Sequence, residues 1–222
     1  MTTDLMPITD RTKVHRLRER QTRDRATLYE ILDTGLVAHV ALCLGDQPAL
    51  LPVAYARDGD RLLLHGSTGA GLLRAAAGGA PIAVAVTHLD GLVFAGSIFH
   101  SSMNYRSAVI FGVAQVLDGV ERLAALRALS NHLMPGRWNE VRPPTSRELA
   151  ATLVLALPLD EASVKVRAGG PSGDDDDDAG AWTGVLPLFV QTGEPVAAPD
   201  LSPEVDIPDS VHAARRRQPA SS

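Results

Sequence analysis

A single cysteine, Cys43, in a chain of 222 residues excludes an intrachain disulfide framework and any multi-cysteine metal site. It lies in an apolar run and is expected in the core. Long hydrophobic runs are missing too. Nothing approaches the roughly 18 uninterrupted apolar residues that span a bilayer, and the opening MTTDLMPITDRTKVHR holds no apolar signal region. A cytoplasmic protein with no membrane partner is the expectation. Positive charge is not in excess: Lys+Arg 21 against Asp+Glu 26 gives a net charge of -5, so no basic field advertises nucleic acid. The sequence also lacks internal repeats, a paired-carboxylate or nucleophile–base motif for hydrolysis, and a Rossmann-type dinucleotide fingerprint. What is present is a 45% hydrophobic chain, long enough for one substantial core.

The pattern along the chain is mainly β. Residues 1–23 carry six Lys and Arg with little apolar content and read as a basic N-terminal arm, serving a ligand or simply solvated. Asp24 is placed to cap the helix RATLYEILD, which stops at Gly35. LVAHVALCL, ALLPVAYARD and RLLLHG follow, separated by Gly45-Asp46 and Asp58-Gly59 turns, an antiparallel meander. PIAVAVTHLDGLVFAGSIF reads as two strands joined around Leu89 to Gly91, and YRSAVIFGVAQVL as another. Asp118 is placed to cap a helix whose Val120, Leu123, Leu126, Leu129 and Leu133 share one side. Thr145 to Glu148 is a capping box, and ATLVLALPL is a last core strand. Six to seven short strands with a few short helices indicate a small antiparallel barrel over residues 24–168. Residues 169–180, with Asp174 to Asp178 in a row, read as a flexible acidic loop, since a contiguous run lacks the alternate spacing that turns carboxylates toward one calcium ion. Residues 181–190 (AWTGVLPLFV) are expected to dock on a surface, and residues 191–222 to be disordered.

Two clusters could carry chemistry. RLLLHGSTGAGLLR runs a strand through a Gly/Ser/Thr turn into a helix, so the first helical N–H groups and the positive end of the dipole face the turn, an anion site. His65, Ser67 and Thr68 add side-chain donors, while Gly66, Gly69 and Gly71 allow close approach. Turn chemistry alone accounts for the same residues. In HSSMNYRSAVIFG, alternation puts Asn104 and Arg106 on one face and Tyr105 and Ser107 on the other. Arg106 could clamp a phosphate or a flavin carbonyl, or lie at the surface. SVKVR puts Lys165 and Arg167 together on one face, calling for solvent or an anion.

PVAY, LLLHGS, HSSMNYRSAVIFG, PGRW and SVKVR, in that order over about residues 11–190, resemble the pyridoxamine 5'-phosphate oxidase-like flavoproteins, in the branch related to the nitroimidazole reductases. The resemblance implies a split β-barrel that dimerises and binds FMN at the interface. It places His65, Gly66, Ser67 and Thr68 at the FMN phosphate and ribityl chain, with Pro52, Val53 and Tyr55 beside the isoalloxazine. Arg106 and Ser107 come from the adjacent strand, Lys165 is a further basic group, and Trp138 stands at the cofactor mouth. Ala70, Gly71 and Leu72 stand where related loops usually place an Arg or Lys, so phosphate affinity would rest on backbone N–H groups, His65, the hydroxyls and Arg106. No match appears to the paired Arg and His that true oxidases use for pyridoxal phosphate. Two readings therefore stand: an FMN-dependent oxidoreductase passing electrons to a small acceptor such as a nitroaromatic or quinone, or a non-catalytic store or sensor of flavin, deazaflavin or haem. His65 and His100 keep haem open.

Overall fold

The computed structural model describes residues 4–174, 177–178, 180–202 and 204–216. Ten strands and five α-helices occur among them. β1 (Gln21–Thr22) precedes α1 (Arg25–Thr34), and β2 (Val37–Leu44), β3 (Gln47–Asp58) and β4 (Arg61–Ser67) lead into α2 (Gly71–Ala77). Next come β5 (Pro81–Phe94), β6 (Ser102–Val113), β7 (Gln115–Val116), α3 (Gly119–Leu133) and α4 (Ser146–Ala151). β8 (Thr152–Pro158), β9 (Ala162–Arg167), β10 (Gly184–Pro187) and α5 (Asp209–Arg215) complete the order. Seven of the ten strands have six or more residues, and the additional ones are the short β1, β7 and β10. Mainly antiparallel sheet with few helices is the class expected of a split barrel.

The chain divides into two compact units. The first comprises the residues through Gly35, Val84–Phe111 and Asp160–Phe189. Its strands run in the order β1-β9-β6-β5, with β10 antiparallel to β5. α1 forms because Asp24 accepts from the N–H groups of Ala26 and Thr27, at 3.4 and 3.0 Å, and because Leu28, Ile31 and Leu32 fall on one buried side. β5 is a single 14-residue strand, not the two expected. Its Asp90-Gly91 pair reads as a turn only in isolation. Asp90 is bonded by Arg106, and Gly91 is where β10 comes close: a Cβ there would lie 3.1 Å from the Leu186 carbonyl oxygen.

Two flanking segments of this unit differ from the sequence expectation. The N-terminal arm is packed: Met6 and Thr12 are buried, Met6 exchanges hydrogen bonds with Arg23, and Gln21 and Ser163 both donate to the Thr12 carbonyl. The acidic loop is held by Asp177, which bonds His100, and by the Asp178 N–H, which donates to the Gly96 carbonyl at 3.0 Å. Asp175 and Asp176 lie outside the described residues. The segment expected to dock does so on its own sheet, as β10.

The second unit comprises Leu36–Ala83, Gly112–Leu159 and the residues from Val190 on, with strand order β2-β3-β4-β8-β7. Gly45 and Gly59 take positive φ of 60° and 58°, which makes the two expected tight turns possible. α3 packs on β3, and Ala125 and Leu129 join Ala56, Leu63, Val154 and Ala156 in one core cluster. The anticipated stripe is only partly used, because Val120 is 86% exposed and the smaller Ala125 takes the inward position. Cys43 is exposed, beside the turn of the β2–β3 hairpin and not in the core. The C-terminal tail is ordered through Arg216: buried Ser210 of α5 donates from its N–H and hydroxyl to Glu140. Arg217 to Ser222 lie outside the described residues.

Candidate functional site

In the second unit, β4 carries the expected corner. Cross-strand register pairs Leu63 with Ala156 and His65 with Val154, so His65 stands on the same side as the α3 core cluster. Gly66 is on the other side, where an added Cβ would lie 2.4 Å from Leu73 Cδ1. A Cβ there would force the buried Leu73 side chain to shift, so glycine eases the approach of α2 whatever else binds.

His65 is half-buried, and its Nδ1 is buried with no hydrogen-bond partner. Burial lowers its pKa, which favours the neutral ring. A neutral imidazole carries one N–H. Orphaned buried N–H groups are rarer than under-satisfied acceptors, so the lone pair belongs at Nδ1 and the proton at Nε2, the less enclosed nitrogen. His65 thus presents a donor outward.

The turn after it is more closed than expected. Thr68 N–H donates to the Ala151 carbonyl at 3.0 Å, Ala70 N–H to the Ser67 carbonyl at 2.9 Å, and Gly69 N–H to Ser67 Oγ at 3.1 Å. Ala70 offers no side-chain cap, and α2 is only seven residues long, too short for much of a macrodipole. Available polarity is therefore His65 Nε2–H and the exposed hydroxyls of Ser67 and Thr68.

The remaining candidates of this unit are dispersed. Tyr55 is fully buried, its ring 5.4 Å from that of His132, and Leu72 is buried, so both serve the core. Alternation turns exposed Pro52 away from Val53 and Tyr55, opposite His39. Half-buried Trp138 lines a recess of about 490 Å³ with Ser130, Met134 and Arg142.

In the first unit, Arg106 and Ser107 face opposite sides of the sheet. Arg106 donates to both oxygens of Asp90, at 3.1 and 3.0 Å, and to Glu30 Oε1 at 3.1 Å. The hydrogen bond that Arg106 donates to Asp90 raises its pKa further, against desolvation. A phosphate would have to displace two carboxylates. Ser107 and Lys165 are cross-strand neighbours, and Ser107 Oγ donates to the Lys165 carbonyl at 3.4 Å. Lys165 has no ion-pair partner among the described residues, and Gln21, its partner on β1, holds Val14 by accepting from its N–H at 3.0 Å. Exposed Lys13, Arg16 and Arg18 belong to this same ordered segment. His100 is turned to the acidic loop: Nδ1 lies 3.1 Å from Asp177 Oδ1 and Nε2 3.3 Å from Asp174 Oδ2. Asp90, Glu30 and Asp177 were invisible as partners in the sequence, since each is far along the chain from the group it binds.

The family model for pyridoxamine 5'-phosphate oxidase matches residues 24–166. The chain belongs to the pyridoxamine 5'-phosphate oxidase family. Solved structures extend the likeness beyond that span. A FAD- and haem-binding protein from Mycobacterium smegmatis is 45% identical, with 88% of this chain and 97% of that one covered and a TM-score of 0.86. The flavocytochrome Anf3 from Azotobacter vinelandii is 35% identical over 92% and 96%, with a TM-score of 0.86. A candidate 5-nitroimidazole antibiotic resistance protein from Bacteroides thetaiotaomicron, 18% identical over 66% and 86% with a TM-score of 0.57, shares the fold. None of the curated proteins compared matches. Among the described residues of this pyridoxamine 5'-phosphate oxidase family member, no helix is long and apolar enough to cross a membrane.

Proposed function

We propose that this protein binds a flavin together with haem and passes electrons to a small organic acceptor such as a quinone or nitroaromatic. The observation that carries the flavin half is His65, whose Nδ1 is enclosed without a partner, leaving the outward Nε2–H for an acceptor-rich ligand. Two relatives of 45% and 35% identity, one binding FAD and haem and the other a flavocytochrome, support the pairing. The sequence led to FMN; the FAD-binding relative favours FAD. His65, Ser67 and Thr68 in the second unit are the groups offered to its phosphates and polar chain. A bound flavin supplies the redox chemistry, and the chain supplies donors, orientation and exclusion of water.

Exposed apolar groups, including Ile98 at 93%, Phe99 at 82% and Trp182 at 69%, support a homodimer with flavin at its interface. Light scattering should then report twice 23.5 kDa. The deciding experiment is the absorbance spectrum of the purified protein, with extraction and mass analysis of what it carries. Flavin bands plus a Soret band are expected. A colourless protein that takes up neither FAD, FMN nor hemin on titration would sink the reading.

A further inference from the structure

Electron transfer to a quinone or nitroaromatic needs an electron source, and the sequence holds no Rossmann-type fingerprint with which to keep a nicotinamide. A surface suited to a protein donor lies on the first unit. Between Arg11 and Arg25 the chain has seven Lys and Arg against Glu19 and Asp24, in a protein whose net charge is -5. Arg11 pairs with Glu161 and Arg25 with Asp4. The side chains of Lys13, Arg16 and Arg18 are exposed and make no hydrogen bond or ion pair among the described residues. Arg20 reaches Glu19 at 4.0 Å, and Arg23 donates to the Met6 carbonyl.

These charges sit on a loop of fixed shape. Gln21 closes its base, donating from Nε2 to the Thr12 carbonyl at 2.8 Å and accepting from the Val14 N–H at 3.0 Å. Buried Thr12 is held again by Ser163 Oγ, which donates to the same carbonyl at 2.9 Å. Leu17 has φ 57° and ψ 55°, a left-handed conformation that leucine rarely adopts. After it a single turn of 3-10 helix, Arg18–Arg20, lies against β9, where Arg167 bonds Asn104 and the Gly169 and Gly170 carbonyls, all neutral acceptors. A flexible arm would let like charges spread apart. This loop keeps them together, with Leu17 39% exposed among them. Charge held in place without an acid to neutralise it complements an anionic surface. On a molecule of net negative charge, such a patch orients an acidic partner during approach while the remaining surface repels it, which selects one docking pose. A long polyanion also meets that remaining surface and gains less. The exposed leucine among cations matches the small, polar-rimmed contact of a transient redox complex.

We propose that the loop from Lys13 to Arg20 is the docking site of a small acidic electron-carrier protein, which supplies the electrons. This rests on the reading that the protein passes electrons to an acceptor. Two one-electron deliveries and two protons from solvent balance the reduction of a quinone to its hydroquinone and leave two carriers oxidised. The test uses the full chain carrying its flavin, titrated calorimetrically at low and high salt with two acidic carriers, a plant-type ferredoxin and a flavodoxin. One of them should bind at low salt and weaken about tenfold or more at high salt. Arg16→Glu combined with Arg18→Glu should weaken low-salt binding about tenfold, and the milder Arg16→Gln with Arg18→Gln should fall between. Arg127→Glu, at an exposed position on α3, should leave it unchanged. Leu17→Asn suits the left-handed backbone and should weaken binding severalfold without altering its salt dependence. Thermal melts check that each variant is folded. A flavin-loaded chain that binds neither carrier, or binds one equally well with Arg16 and Arg18 reversed, overturns the assignment. Tighter binding of duplex DNA or of phosphatidylglycerol vesicles, dependent on Arg16 and Arg18, would make the patch a site for those polyanions and overturn it too. A chain that takes up no flavin removes the proposed function first, and this inference with it.

Discussion

His65 and Gly66 are adjacent in sequence yet answer to different neighbours, and that determines how each responds to change. Burial lowers the His65 pKa, so over the interval between its folded pKa and the ordinary value near 6.5 the unfolded chain binds more protons. Its contribution therefore favours the unfolded chain progressively as pH falls below about 6.5; above that it is neutral. Denaturant melts of His65→Ala and the unaltered protein between pH 5 and 8 should show a shallower pH slope in the variant. Parallel slopes would mean that His65 is not held neutral by burial. Gly66→Ala keeps an allowed backbone but drives a methyl into Leu73, which is itself buried. A loss of about 1–3 kcal/mol is expected in the same melts, the ordinary cost of overpacking, and no loss would show that α2 can move away freely.

Helix starts illustrate how far local signals reach at the scale of elements. Asp24 caps α1 as its sequence indicates, whereas Asp118 precedes α3 without any side-chain cap bond. Asp24→Ala should cost about 1 kcal/mol and Asp118→Ala close to nothing by urea melts; equal costs would contradict the observed caps. Between strands, Arg106 ties β6 to Asp90 of β5 and to Glu30 of α1. Its two-pronged bond to the more sheltered Asp90 should give a coupling of about 1 kcal/mol in a double-mutant cycle. The more exposed Glu30 should give under about 0.5 kcal/mol. If Arg106→Ala instead abolished flavin uptake with little change in stability, the phosphate role suggested by the sequence would be reinstated.

On the scale of the whole molecule, the ends of the chain are part of the structure. The tail is held to the body of the second unit through Ser210 on Glu140, and Arg215 pairs with Glu194 within the tail itself. It lines a cavity of about 780 Å³ with Met134 and Arg137. Truncation after Val190 should lower Tm by about 3–10 °C in a scanning melt, from loss of the charge-assisted bonds to Glu140. An unchanged Tm would show that the ordered tail adds nothing to stability.

The sequence by itself determined what neighbouring residues decide among themselves. The Asp24 cap, the Thr145 capping box, the Gly45 and Gly59 turns and the corner from His65 to α2 depend on interactions over a few residues, and all appear where the local pattern puts them. Even the pairing of His39 with Pro52 follows from the Gly45-Asp46 turn and the period of two. Tertiary structure decided whatever required a distant partner. It turned Arg106 to Asp90 and Glu30, closed Tyr55 into the core, and pinned the basic arm through Gln21 and Ser163 and the acidic loop through His100. It ordered a tail whose composition suggests disorder, because buried Ser210 finds Glu140. Charge and polarity in a sequence state what a residue needs, and only the fold brings a remote chain segment close enough to supply it.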